Sequence, residues 1–149
     1  VSRVIAVRAC GLVVTIGWAI GLCASGRSAA REQGRTVWDG VYSSAQAERG
    51  RAAYAQSCAP CHADDLRGRS TAPSLVEESF TFLWADMTVG DLFDRTRMRM
   101  PSDRPNSLPA DTYADIIAFI SQQNGFPAGS ADLGTDVEAL KQIRITAKR

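Results

Sequence analysis

The sequence predicts an all-α fold, and three observations carry that expectation. From Leu108 to Asn124, residues Tyr113, Ile116, Ile117 and Ile120 fall on one stripe at helical spacing, with Phe119 beside it. Runs that alternate apolar and polar residues, the mark of a half-buried strand, are scarce. Pro101, Pro105 and Pro109 set a structured loop between helical segments.

In chain order, the first segment reads as an export signal. Arg3 and Arg8 supply positive charge, Cys10 to Ala24 is an uncharged apolar run of 15 residues, and Ser28-Ala29-Ala30 offers the small residues of a cleavage site. The run is shorter than the roughly 20 residues of a membrane-spanning helix, which favours a cleaved signal over residues 1–30 to retention of residues 9–24 as an inner-membrane anchor. Residues 31–44 form a polar lead-in whose aromatic anchors, Trp38 and Tyr42, are expected to pack on the domain surface. Residues 45–149 make one domain with a C-terminal extension from about residue 125.

Within the domain, Ala45 to Ser57 is the first helix, capped by Ser43 or Ser44, with Ala47, Gly50 and Tyr54 along one face. Gly50 weakens a helix relative to alanine and signals that another backbone comes close. Asp64 to Thr71 is a polar loop, Ala72-Pro73-Ser74-Leu75 turns the chain, and Glu77 to Leu83 is a short helical turn leading to Trp84. Thr88 caps a helix running through Leu92 and Phe93 to about Met98. In the helix from Leu108, Pro109 suits the first turn, Asp111 meets the positive end of the helix dipole, and Asn124-Gly125 stops it. Thr135 to Ile143 is one more short helix.

Charge excludes one class of partner. The 17 Lys and Arg nearly balance the 16 Asp and Glu, and no basic stripe with interleaved aromatics is present, so nucleic acid is not expected. Loss of Arg3, Arg8 and Arg27 with residues 1–30 would leave 14 basic against 16 acidic residues. Cys10 and Cys23 would go too, leaving Cys58 and Cys61.

Those two cysteines carry the chemistry. Cys58-Ala59-Pro60-Cys61-His62 has the spacing that attaches a c-type haem. Each thiol adds across one porphyrin vinyl group, the two intervening residues set the reach between the sulfurs, and the adjacent imidazole is delivered beneath the ring. A thiol-redox pair would want a βαβ context, and a structural zinc site four Cys or His ligands; neither is found beyond Cys58, Cys61 and His62. His62 is the only histidine, so bis-imidazole ligation is excluded and the sixth position falls to methionine, lysine or an open site. Of Met87, Met98 and Met100, the last is preferred, with Met98 in reserve, because Pro101 biases Met100 towards an extended conformation in an irregular loop. A histidine–methionine pair closes both axial positions, raises the reduction potential and suits outer-sphere electron transfer. The rival is an open-site haem protein, either a gas-binding sensor or a peroxidase-like enzyme.

From about Val37 to Ile145 the chain resembles class I cytochromes c. It is most similar to the monohaem cytochromes that accept electrons from quinoprotein (PQQ-dependent) alcohol and sugar dehydrogenases. The resemblance rests on GRAAYAQSCAPCH (Gly50 to His62), APSL (Ala72 to Leu75), TVGDLFDRTRMRMP (Thr88 to Pro101) and YADIIAFISQQNGFPAG (Tyr113 to Gly129). It implies a helical fold wrapped around one covalently bound haem c, with Cys58 and Cys61 as thioether sites and His62 and Met100 as iron ligands. It implies that the Pro73 carbonyl accepts a hydrogen bond from the histidine Nδ1, and that Gly50 and Tyr54 cross the last helix near Phe119. It also places Trp84 either against a haem propionate or packed on the ring. Arg95, Arg97, Arg99 and Arg104 surround the Met100 loop; one is a candidate for a propionate and together they would steer an acidic partner, but residues spaced two apart cannot share one helix face. The expectation is an exported, periplasmic electron carrier, not an enzyme. Its donor would be a periplasmic dehydrogenase and its acceptor another cytochrome or a terminal oxidase, with a membrane involved only if the N-terminal segment is retained.

Overall fold

The computed structural model describes residues 34–70 and 72–147. The predicted signal, residues 1–30, lies outside them. The described residues form six helices: α1 (Ser44–Ser57), α2 (Ala59–His62), α3 (Glu77–Trp84), α4 (Val89–Arg99), α5 (Ala110–Gln123) and α6 (Val137–Leu140). Among these residues β pairing is confined to isolated bridges, so the chain is all-α.

The crossing of α1 over α5 organises the core. Ala47, Gly50 and Tyr54 are buried on α1, as their spacing predicts. They meet an α5 that buries Tyr113, Ala114 and everything from Ile116 to Ser121. Gly50 sits where the backbones touch: a Cβ built there would lie 1.8 Å from the Asp115 carbonyl oxygen and 3.0 Å from the Phe119 Cβ. Only a residue without a side chain allows that approach. Tyr54 and Phe119 pack with ring centroids 5.3 Å apart.

The helix ends follow their caps. Ser43 accepts from the Gln46 amide, and Thr88 with Asp91 forms a reciprocal capping box at the start of α4. Pro109 stands at the N-cap of α5 instead of in its first turn, because its carbonyl already accepts from the Tyr113 amide (3.2 Å). The short helix expected over Thr135 to Ile143 contracts to α6, because Asp136 caps it late and the chain beyond Lys141 turns off to pair with other segments.

The lead-in and the extension fold onto each other. The Tyr42 hydroxyl donates to the Phe126 carbonyl (2.6 Å), and the Gly129 amide donates to the Tyr42 carbonyl (2.6 Å). Trp38 meets Phe126 edge-on at 4.9 Å while its indole N–H donates to the Thr146 carbonyl (3.0 Å). Val37 donates to Arg144, Arg144 to Arg35, Val89 to Ile143 and Ile145 to Met87 through main-chain bonds of 2.8–3.0 Å. Both aromatic anchors therefore pack against the domain, and specifically against its last 25 or so residues. Gln46, a polar residue on the buried side of α1, completes this layer: its amide donates to the Leu133 carbonyl (2.9 Å) and its carbonyl accepts from the Leu133 amide (2.6 Å).

Candidate functional site

The candidate site is strung along the chain between α1 and α5. α1 ends at Ser57, and the Cys58 amide closes it by donating to the Tyr54 carbonyl (2.8 Å). The chain then re-forms a single turn, α2, in which the Cys61 and His62 amides both donate to the Cys58 carbonyl (3.2 and 2.9 Å). Pro60 sits in the first turn, where its missing N–H costs nothing. The turn holds the two thiols and the imidazole together on one short rigid unit. Cys58 is half-buried and Cys61 exposed. Burial, with the neighbouring Cys61 second, pushes the Cys58 thiol up to about 11, away from the lowered range of a poised thiolate.

His62 is buried, and its Nδ1 lies 2.9 Å from the Pro73 carbonyl oxygen. A carbonyl can only accept, so Nδ1 carries the proton and the lone pair belongs to Nε2. That bond fixes the ring's orientation and its tautomer. The loop that brings Pro73 into place is itself pinned: the Gly68 amide donates to the His62 carbonyl (3.0 Å) and the Leu75 amide to the Leu66 carbonyl (2.8 Å). Ala63, directly after the histidine, has φ +63°, a conformation that an alanine adopts only when its surroundings impose it. The Tyr54 hydroxyl, reaching from α1, donates to the Ala63 carbonyl (2.8 Å) and is part of that constraint.

The three methionines separate cleanly. Met87 packs against the core in the turn before α4 and accepts the Ile145 amide through its carbonyl. Met98 lies within α4 and is largely exposed. Met100 is the C-cap of α4, extended at φ −126° and ψ 149°, the conformation its proline neighbour predicts. Both of its main-chain polar groups are tied: the amide donates to the Thr96 carbonyl (2.8 Å), and the carbonyl accepts the Tyr113 hydroxyl (2.7 Å). Tyr113 also accepts from the Leu108 amide (3.4 Å), so one α5 side chain gathers both ends of the proline-rich loop.

Trp84 is buried, its ring 6.5 Å from that of Phe80, with the Arg95 guanidinium 5.6 Å above it. Arg95, Arg99 and Arg104 are exposed, whereas Arg97 is half-buried with its guanidinium 5.9 Å from the Phe93 ring. Arg95, Arg97 and Arg99 differ in their surroundings along α4, in keeping with their spacing, and Arg104 lies beyond the helix.

The donor set fits a covalently held haem. Two thiols flank a rigid turn, the adjacent imidazole has one nitrogen committed and one free, and a thioether stands on a separately clamped segment. Arg97 Nε is a buried donor without an acceptor among the described residues, as expected where a carboxylate from a non-protein group belongs. Among the described residues no three His, Cys, Asp or Glu side chains are grouped to hold a metal ion directly, and no helix is long and apolar enough to cross a membrane. Sequence reading missed the two tyrosine hydroxyls and Gln46, because nothing in helical spacing distinguishes a buried tyrosine that bonds a distant carbonyl from one that only packs.

Residues 45–120, just over half of the chain, match the family described as cytochrome C oxidase, cbb3-type, subunit III. No curated protein matches the chain. Among solved structures, the sulfane dehydrogenase SoxCD from Paracoccus pantotrophus is similar at 24% identity and a TM-score of 0.48, over 82% of this chain and 68% of that one.

Proposed function

The chain belongs to this cytochrome c family, and we propose that it is an exported monohaem c-type cytochrome that carries single electrons between periplasmic redox partners. The family is one of electron carriers rather than enzymes, and membership implies haem c. In this reading Cys58 and Cys61 would form the two thioethers, His62 would hold the iron through Nε2, and Met100 would supply a second ligand through its sulfur. The observation that carries the reading is the buried His62 with Nδ1 held 2.9 Å from the Pro73 carbonyl, on the residue that follows the CxxC turn.

When bound, the haem would supply a one-electron couple. The residues of the chain do the rest. The α2 turn fixes the thiols and imidazole relative to each other, so anchoring and ligation share one rigid unit. Pro73 holds the proton on Nδ1, so the Nε2 lone pair is the one directed to the metal. Tyr113 and Thr96 hold the backbone of Met100, so the sulfur does not depend on side-chain packing alone. His62 and Met100 are each held by protein hydrogen bonds, so both would be positioned before a haem arrives, which would suit outer-sphere transfer. The proposed donor is a periplasmic dehydrogenase and the proposed acceptor a cytochrome or terminal oxidase.

The test is spectroscopic. The protein, expressed with haem-maturation factors and exported, is expected to gain the mass of one haem. It is also expected to show a weak sulfur-to-iron band near roughly 700 nm when oxidised and to resist carbon monoxide when reduced, both signs of methionine ligation. A polypeptide of bare mass overturns the reading; haem present with rapid carbon monoxide binding replaces it with the open-site alternative. Copurification with a dehydrogenase checks the proposed donor.

A further inference from the structure

We infer that Arg97 is the residue that binds a haem propionate, its Nε–H donating to the carboxylate; this rests on the haem reading above. Arg97 Nε is the one buried side-chain donor without a partner among the described residues. Arg97 is half-buried, but its Nε–H is shut off from solvent, and a guanidinium cannot shed its charge to escape that enclosure. The other basic side chains of the described fold that form ion pairs do so with protein carboxylates: Arg49 with Asp115 and Asp132, Arg51 with Glu48, Arg67 with Glu77, Arg144 with Asp86, and Lys141 with Glu138. No carboxylate among the described residues pairs with Arg97. Its acceptor must come from outside the described polypeptide, and a propionate is the carboxylate that haem c brings.

Placement supports the same assignment. Arg97 lies three residues before Met100 on the helix whose end presents that methionine, so one element would meet both the iron and the porphyrin edge. The guanidinium rests against Phe93, one turn earlier, which restricts its rotamers before any ligand arrives. The Asn106 amide donates to the Arg97 carbonyl (2.9 Å), tying this turn to the proline-rich loop. Arg95 has a different neighbour in Trp84, and Arg95, Arg99 and Arg104 are all exposed, so water can serve their donors.

The experiment uses reduced, diamagnetic holoprotein labelled with 15N-arginine. Arg97 Nε–H is expected to resonate downfield, to exchange slowly with water and to show nuclear Overhauser contacts to propionate methylene protons. Substitution provides an independent readout. Arg97→Gln removes the charge that offsets a propionate, so ferric iron is favoured and the midpoint potential falls, by more than in the exposed control Arg99→Gln. Arg97→Lys, which keeps the charge, recovers part of the fall. Haem-loaded, methionine-ligated protein with no such contacts overturns this assignment alone, as do equal shifts in the Arg97→Gln and Arg99→Gln proteins. A chain that takes up no haem overturns both readings, and the labelled wild-type measurement decides the matter if Arg97→Gln does not fold.

Discussion

Where α1 crosses α5, position is set mainly by the shape of apolar side chains, with the Arg49–Asp115 ion pair beside them; along the arc from Cys58 to Met100, it is set by hydrogen bonds to main-chain carbonyls. Gly50, Ala47 and the isoleucines of α5 bring two helices together by shape. His62, Ala63 and Met100 are held instead through Pro73, Tyr54 and Tyr113. Apolar contact is non-directional and forgiving of small rotations, which suits a scaffold. A ligand atom must point in one direction, and a hydrogen bond fixes direction. The two regions are joined by Tyr54 and Tyr113, each rooted in the crossing and each ending on a carbonyl at or next to a candidate iron ligand.

The sharpest way to break this comparison is to remove the crossing. Gly50→Ala places a Cβ against the Asp115 carbonyl and should cost about 3 kcal/mol or more, at the upper end of overpacking effects. Denaturant unfolding measures it, and a loss below about 1 kcal/mol would mean that the helices separate easily and that shape does not set their position.

A smaller effect is expected from Gln46→Ala, which strips both hydrogen bonds from the Leu133 backbone. Leaving those groups unpaired should cost about 2 kcal/mol. Hydrogen exchange should accelerate at Leu133 and Gly129 while α5 stays protected. Uniform acceleration would show that the extension and the crossing unfold as one unit.

Tyr113→Phe tests the joint between the regions. It removes one hydroxyl, and the fold should lose only about 1 kcal/mol, but the Met100 carbonyl is released. The expected signature is faster carbon monoxide binding to the reduced protein with nearly unchanged denaturation. Unaltered gas resistance would assign the loop's position to Pro101 and Thr96 without the tyrosine.

The smallest effect belongs to the capping box of α4. Donors from the Thr88 side chain and backbone hold the Asp91 carboxyl below the usual carboxylate range. A group with a lowered folded pKa stabilises above its unfolded value of roughly 4, and that contribution disappears as pH falls through the folded value. Thr88→Ala should cost about 1 kcal/mol near neutrality and flatten the loss of stability below about pH 4, measured as the pH dependence of Tm. An unchanged acid limb would place the acid sensitivity of the fold on other carboxylates.

Much of this was legible in the chain itself. Tyr113, Ile116, Ile117 and Ile120 announce α5 because burial repeats every three to four residues, and Gly50 announces a close approach because an exposed helix interior would select against it. Thr88 and Asp91 spell their cap within four residues. The CxxCH turn points to the proposed chemistry because its two thiols and imidazole are neighbours in sequence. Helix boundaries were less secure: Pro109 and Thr135 each shifted because a cap is decided by where the adjoining chain goes.

The sequence by itself therefore determined the helices, the haem-attachment turn and the family resemblance, since each is written in residues a few positions apart. Only the tertiary structure decided that Gln46 clasps Leu133 across 87 positions, that Tyr113 holds Met100 rather than merely filling the core, that Arg97 and not Arg95 has a buried donor without a partner, and that residues 34–44 pack on the extension. Periodicity records which face of an element is dry. It does not record which distant polar group will satisfy a buried donor or acceptor, because that partner is chosen only when the elements meet in space.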